Sequence, residues 1–205
     1  MDKKLTSVFL AGIAALGILA GGCGETKQAA APAAKTEAKQ ETAAKGPLTL
    51  EYTYKKPEGM ASNQMAAWIE DGNGKLVRTL FATKFTATGG YKKRTQSLPV
   101  WVKKSGLAQL DSKKVDAFTQ ATPAAGKLTF TWDGKDDSGK EVPDGTYKLV
   151  LEGTLYDTSD ALFTGTFTKG GKDQNLDMKK TLTKEPEKAA NKDMIPGVKA
   201  VYKGK

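Results

Sequence analysis

The chain has 205 residues, a formal net charge of +9, one cysteine and no histidine. The lack of histidine excludes an imidazole general base, Ser-His and Cys-His pairs and His-ligated metals, and a single thiol permits no intrachain disulfide. What remains is carboxylate or lysine chemistry, a bound cofactor, or binding without chemistry.

The N-terminal segment explains the cysteine. Lys3 and Lys4 precede an apolar run from Leu5 to Ala20, and Leu19-Ala20-Gly21-Gly22 lead directly into Cys23. This is the layout of a secretory signal over residues 1–22, with the sole thiol where a lipoprotein is acylated. The run is short for a membrane-spanning helix, which needs ~20 residues. Acyl chains contribute about 0.8 kcal/mol per buried methylene, so two or more on Cys23 would anchor the protein durably. The expected location is the periplasmic side of the cell envelope. Gly24 follows the cysteine in place of a retention Asp, which leans toward the outer membrane. Residues 23–46, the lipidated cysteine and a stretch without large apolar side chains, read as a flexible tether.

From Pro47 the pattern changes to one domain over 47–205. Leu48, Leu50, Tyr52 and Tyr54 alternate with polar residues, the period of a half-buried strand. Met65, Ala67 and Ile69 continue the pattern, and Asp71-Gly72-Asn73-Gly74 turns the chain into Leu76–Phe81. Further strands are expected at Leu128–Trp132, at Tyr147–Leu155 with Lys148 and Glu152 facing out, at Phe163–Phe167, at Leu176–Leu182 and at Val198–Tyr202. Eight short antiparallel strands predict a mainly β fold, an Ig-like β-sandwich. Residues 84–126 interrupt it as a short helical insertion. There Ser97 can cap one helix with Pro99 in its first turn, and Asp111 can cap a second that buries Val115 and Phe118. An insertion this long in a small sandwich points to function.

The positive charge is uneven. Residues 47–168 hold 16 basic and 14 acidic side chains, whereas residues 169–205 hold ten and five. The basic C-terminal end reads either as attraction to anionic lipid or another envelope polyanion, or as a solvated surface. Nucleic acid is not an expected partner.

The text from Trp132 to Tyr147, with Asp133, Asp136, Asp137, Glu141 and Asp144, is rich in turn residues. It suits a rigid hairpin, with Asp side chains bonding to nearby backbone. Calcium binding is the alternative, but Lys135 stands at the third position of any EF-hand count from Asp133. The stretch resembles the strand–loop–strand signature of the Ig-like domain of flagellar hook-capping proteins.

More of the chain resembles an uncharacterised family of predicted periplasmic proteins. The matching text is Ala66–Asp71, Leu76–Phe81, Gly89-Gly90-Tyr91-Lys92-Lys93-Arg94 and Ser97–Trp101. Such proteins resemble those associated with membrane redox modules and flavin transferases. The resemblance thus implies flavin transferase and membrane redox proteins as partners, beside the membrane expected to be held through the lipid on Cys23. Against that background Asp116-Ala117-Phe118-Thr119-Gln120-Ala121-Thr122 resembles the acceptor motif of covalently flavinylated proteins. In that motif FMN is linked through its phosphate to the last hydroxyl, so Thr122 would be the acceptor, with Asp116, Thr119 and Ala121 matching. Gln120 departs from the pattern, standing where glycine would let backbone approach the cofactor. Tyr91, Lys92, Lys93 and Arg94, with Trp101, would supply charge for the FMN phosphate and aromatic surface for its ring.

The resulting expectation is a lipid-anchored accessory protein of an envelope redox system, carrying electrons on FMN at Thr122 and having no catalytic constellation or metal of its own. The competing expectation is a cofactor-free Ig-like module docking on another envelope protein. A hydrolase using two carboxylates of the Asp-rich loop would need a fixed separation that nothing in the sequence supplies.

Overall fold

In the computed structural model, the residues described are 47–57, 62–156, 158–185 and 194–204, all within the unit Ala38–Lys205. The signal segment, Cys23 and the tether over 23–46 lie outside the described residues. Among the described residues ten strands build two sheets: β1 (Leu48–Tyr54), β2 (Asn63–Asp71), β3 (Leu76–Thr83), β4 (Thr119–Gln120), β5 (Gly126–Trp132), β6 (Gly145–Leu155), β7 (Ser159–Lys169), β8 (Gln174–Asn175), β9 (Lys179–Lys184) and β10 (Val198–Tyr202). One sheet has the order β5-β1-β10-β8 and the other β4-β3-β2-β6-β7-β9. All pairings are antiparallel except β3 with β4.

The alternation of β1 has the consequence expected of it. Its four apolar side chains are buried in the sandwich core, with Thr49, Glu51 and Thr53 directed away. The facing sheet contributes Met65, Ala67, Ile69, Leu149, Leu151, Phe163 and Phe167. Phe81 and Phe130 stack across the two sheets at 3.9 Å between ring centroids. Burying a side chain of this class contributes about 1.5–3 kcal/mol. The β2–β3 hairpin closes where Asp71 Oδ1 accepts from the N–H groups of Asn73 and Lys75, with Gly74 at φ 77°.

The other face of the six-stranded sheet is also covered. After β3 come α1 (Lys84–Ala87), a 3-10 turn at Gly90–Lys92, α2 (Pro99–Ser105), a second 3-10 turn at Leu107–Gln109, and α3 (Ser112–Phe118). Leu98, Trp101, Leu107, Val115 and Phe118 from this insertion pack on Ala66, Trp68, Ala82 and Val150, forming a second core. β2 is therefore buried on both faces along eight of its nine residues.

Three expectations are corrected here. Glu152 does not face solvent: it is fully buried, because the insertion lies over it. Ser97 does not cap α2. The N-cap is Leu98, in left-handed conformation at φ 52°, and the carboxylate of Glu152 accepts from the Val100 and Trp101 N–H groups at 3.0 and 2.8 Å. Of the expected strand at 176–182 only the part from Lys179 is strand: residues 176–178 carry the chain from β8 in one sheet to β9 in the other. Asp111 does cap α3, accepting from Lys114 N–H.

Candidate functional site

Where β1, β2, α1 and the segment after β4 meet, they enclose a groove of about 710 Å³. One wall is Thr122-Pro123-Ala124-Ala125, and the opposite side carries Phe85 of α1 and Arg94 after the first 3-10 turn. Thr122 is exposed and Pro123 behind it is buried, so the wall presents the Thr122 side chain.

The floor is polar. Asn63 Nδ2 donates to the Tyr54 hydroxyl, while the buried Asn63 Oδ1 has no partner. Gln64 Oε1 accepts from the hydroxyls of Thr83 and Thr86, and its Nε2 donates to Ser62 Oγ. An unpaired buried amide oxygen costs free energy.

Arg94 is held in a layer. Its guanidinium carbon lies 4.6 Å from the ring centre of Phe85 and 5.1 Å from that of Tyr156. Such packing fixes the plane and leaves the N–H edges to address phosphate or carbonyl oxygens.

The residues singled out from sequence are partly brought together. Thr122 and Arg94 line the same groove. Asp116 is exposed on α3, Ala121 is exposed, and Thr119 donates its hydroxyl to the Val115 carbonyl; none of the three lines the groove. Lys92 and Lys93 are exposed, and Tyr91 packs against the second core. Trp101 offers no stacking surface, being fully buried with its ring edge-on to Phe118. Gln120 sits in β4 opposite Thr83, in strand conformation that requires no glycine. Phe85, Asn63 and Tyr156 were missed. Nothing local in sequence marks them, since they come from α1, the start of β2 and the β6–β7 connection.

A smaller cavity of about 260 Å³ lies between β3 and α3, with Arg78, Lys113 and Lys114 around Leu110 and Phe118. Arg78 there donates to the Asp136 carbonyl at 2.9 Å. The Asp-rich loop is committed to turn bonding. Asp136 Oδ1 accepts from the N–H groups of Ser138 and Lys140, Asp137 from Thr79 N–H, and Asp144 pairs with the buried Lys169 at 2.9 Å. Hydrogen bonds to Ser138 and Lys140 hold the Asp136 carboxyl below its usual range, as expected of an ionised turn acceptor.

Beneath the insertion, two carboxylates of the sheet fix α2 from either end. Glu152 holds its first turn as described, and Glu70, equally buried, accepts from Trp68 Nε1 and pairs with Lys148 and Lys104 at 2.6 and 3.3 Å. Burial alone would raise the Glu70 carboxyl, but the bonds from Lys148, Trp68 and Lys104 outweigh it and hold the group below its usual range. Among the described residues, no cation pairs with Glu152 in this way. Burial, with the neighbouring Asp160 charge, pushes its carboxyl up to about 8 against the pull of the Trp101 and Val100 N–H groups. Asp160 is also raised by burial, so the pair keeps a proton where isolated carboxyls would lose theirs.

No curated protein and no solved structure matches the chain. A family model does: over residues 47–185, which include the second core, the groove and the Asp-rich loop, the sequence fits the family described as Predicted periplasmic protein (DUF2271), and the chain belongs to that family.

Proposed function

We propose that this protein is a lipid-anchored electron carrier of the cell envelope, with FMN covalently attached to the hydroxyl of Thr122. One observation carries the reading: the exposed acceptor threonine stands on the wall of a groove that also contains Arg94 and Phe85, brought from a part of the insertion far from it in sequence. The groove fits the group. Its volume of about 710 Å³ lies in the range of small-molecule sites, and Arg94, packed on Phe85, supplies a guanidinium on its lining. Gln120 is no obstacle to the backbone, because it pairs in β4 beside Thr83.

Bound FMN would supply reversible electron transfer. The residues do the rest. Thr122 Oγ would form the phosphoester bond as the P–O–P bond of a flavin dinucleotide donor breaks. The nucleoside monophosphate leaves with the bonding electron pair, and the hydroxyl proton passes to solvent. Phe85 covers one side of the groove, and Arg94 neutralises negative charge within it. Cys23 would hold the domain to the envelope by its acyl chains, with residues 24–46 spanning the gap between the membrane and the domain.

The test is co-expression of the full chain with a flavin transferase, read by in-gel flavin fluorescence and intact mass. The expected result is an FMN adduct that survives denaturation, is absent in Thr122→Ala and is retained in Thr122→Ser. An unmodified mass in the parent chain sinks the carrier reading and favours the cofactor-free binding module.

A further inference from the structure

Tyr156 is the one large hydrophobic side chain fully classed as exposed among the described residues, with 45 % of its surface open. It follows β6, just where the β6–β7 connection begins, and its backbone is left-handed at φ 50°. For a residue with a bulky side chain that conformation is unfavourable, and glycine or asparagine would relieve it. Nothing in the packing demands a tyrosine there, since the ring contributes to neither core. The position is nonetheless well defined. Tyr156 N–H donates to the Ser62 carbonyl at 2.9 Å, and Ser62 lines the groove that holds Thr122.

The Arg94 guanidinium carbon lies over both aromatic rings, 5.1 Å from the centre of Tyr156 and 4.6 Å from that of Phe85, and Arg94 and Phe85 line the groove. Tyr156 thus combines contact with a cation and a surface 45 % open. An electron-rich ring of this kind, set against a guanidinium and partly open, is a stacking surface for a planar, electron-poor heteroaromatic. The Arg94 guanidinium supplies N–H donors for a phosphate or ring carbonyl of the same ligand.

We infer that Tyr156, Arg94 and Phe85 form a non-covalent recognition site for the flavin ring system, with Tyr156 as the stacking platform and Arg94 as the phosphate reader. The inference rests on the flavin reading of the groove, but it is separable from attachment: the site recognises the ring whether or not Thr122 becomes esterified. It also accounts for the conformation of Tyr156, whose backbone strain is tolerated because the ring is used.

The experiment uses the full chain carrying Thr122→Ala, so that nothing can be attached. Free riboflavin and free FMN are titrated separately and followed by quenching of flavin fluorescence. Saturable quenching is expected, with FMN binding more tightly than riboflavin. Tyr156→Phe should bind as the parent does, and Arg94→Gln should remove the preference for FMN. Tyr156→Gly is the decisive variant: it keeps the left-handed backbone, so its thermal midpoint should stay level or rise, while riboflavin affinity falls by about tenfold or more, the usual effect of deleting an aromatic stacking partner. A residue with a purely structural role would lose stability and leave affinity alone. Absence of saturable quenching, or unchanged affinity in Tyr156→Gly, overturns the proposal even if Thr122 proves to carry FMN. Riboflavin binding in a chain whose Thr122 is never modified leaves this site standing and removes only the attachment reading.

Discussion

The carboxylate of Glu152, on β6, accepts from the backbone N–H of Trp101, in the first turn of α2, at 2.8 Å. Two residues far apart in sequence thus supply each other's missing partner. A helix start leaves backbone donors without intrahelical acceptors, and a buried carboxylate needs donors. Leu98 has no side chain able to cap, so the sheet performs the task that a serine or aspartate usually performs locally.

Glu152→Ala should therefore cost more than an ordinary cap deletion, because it strands two N–H groups beneath the insertion. A loss of about 2–4 kcal/mol is expected, measured by urea denaturation. The second core should loosen first, seen as a change in near-ultraviolet tryptophan dichroism, with the far-ultraviolet sheet signal retained.

Stability should also depend on pH through the same group. The folded carboxyl of Glu152 titrates at about 8, above the ordinary value of 4.5, so folding favours the protonated form. Its contribution is complete below the unfolded value and is lost as pH rises through about 8. Asp160, shifted the same way, acts in the same direction. The thermal midpoint should fall between pH 5 and pH 9, and Glu152→Gln should flatten that decline. A midpoint that rises across the window would contradict the assignment.

Trp101→Ala should remove the centre of the second core. Trp101 is fully buried, and its Nε1 donates to Thr79 at 3.3 Å. Truncating a buried tryptophan costs about 3–5 kcal/mol. The same helix is already released in Glu152→Ala, so the double variant should lose clearly less than the sum of the two singles.

Gly90 stands where the chain after α1 passes close to Phe85. A Cβ there would collide with the Phe85 carbonyl and ring. Gly90→Ala should shift the Phe85–Arg94 layer without touching Thr122. The expected outcome is weakened riboflavin binding in the titration described above, while a flavin transferase still modifies Thr122.

Much of the sandwich is readable from side-chain periodicity. β1 alternates so regularly that its buried residues follow from the sequence, and the turn at Asp71–Gly74 fixes the β2–β3 hairpin. The limits are physical. Glu152 looks like a solvent-facing position because the groups that satisfy it belong to a distant helix, and no local pattern announces a second buried face. β4 has two residues, too few for any period. Leu176 and Met178 read as strand because both are apolar, yet they carry the chain from one sheet to the other. Thr122 and Arg94 of the groove are visible as residue types, but Asn63 on its lining and Tyr156 against Arg94 become relevant only through tertiary proximity.

The insertion leaves the end of β3 and returns alongside that same end, with Ala82 opposite Thr119 and Thr83 opposite Gln120. Its two ends are therefore neighbours, like the feet of an arch. Geometrically it could lengthen or shorten without disturbing the register of any other strand. Energetically it cannot be dispensed with, for without it Trp68, Val150 and Glu152 would stand in water. Variation in this chain is accordingly easiest in the crown of the arch and hardest at its feet, where Thr83 fixes the polar floor through Gln64.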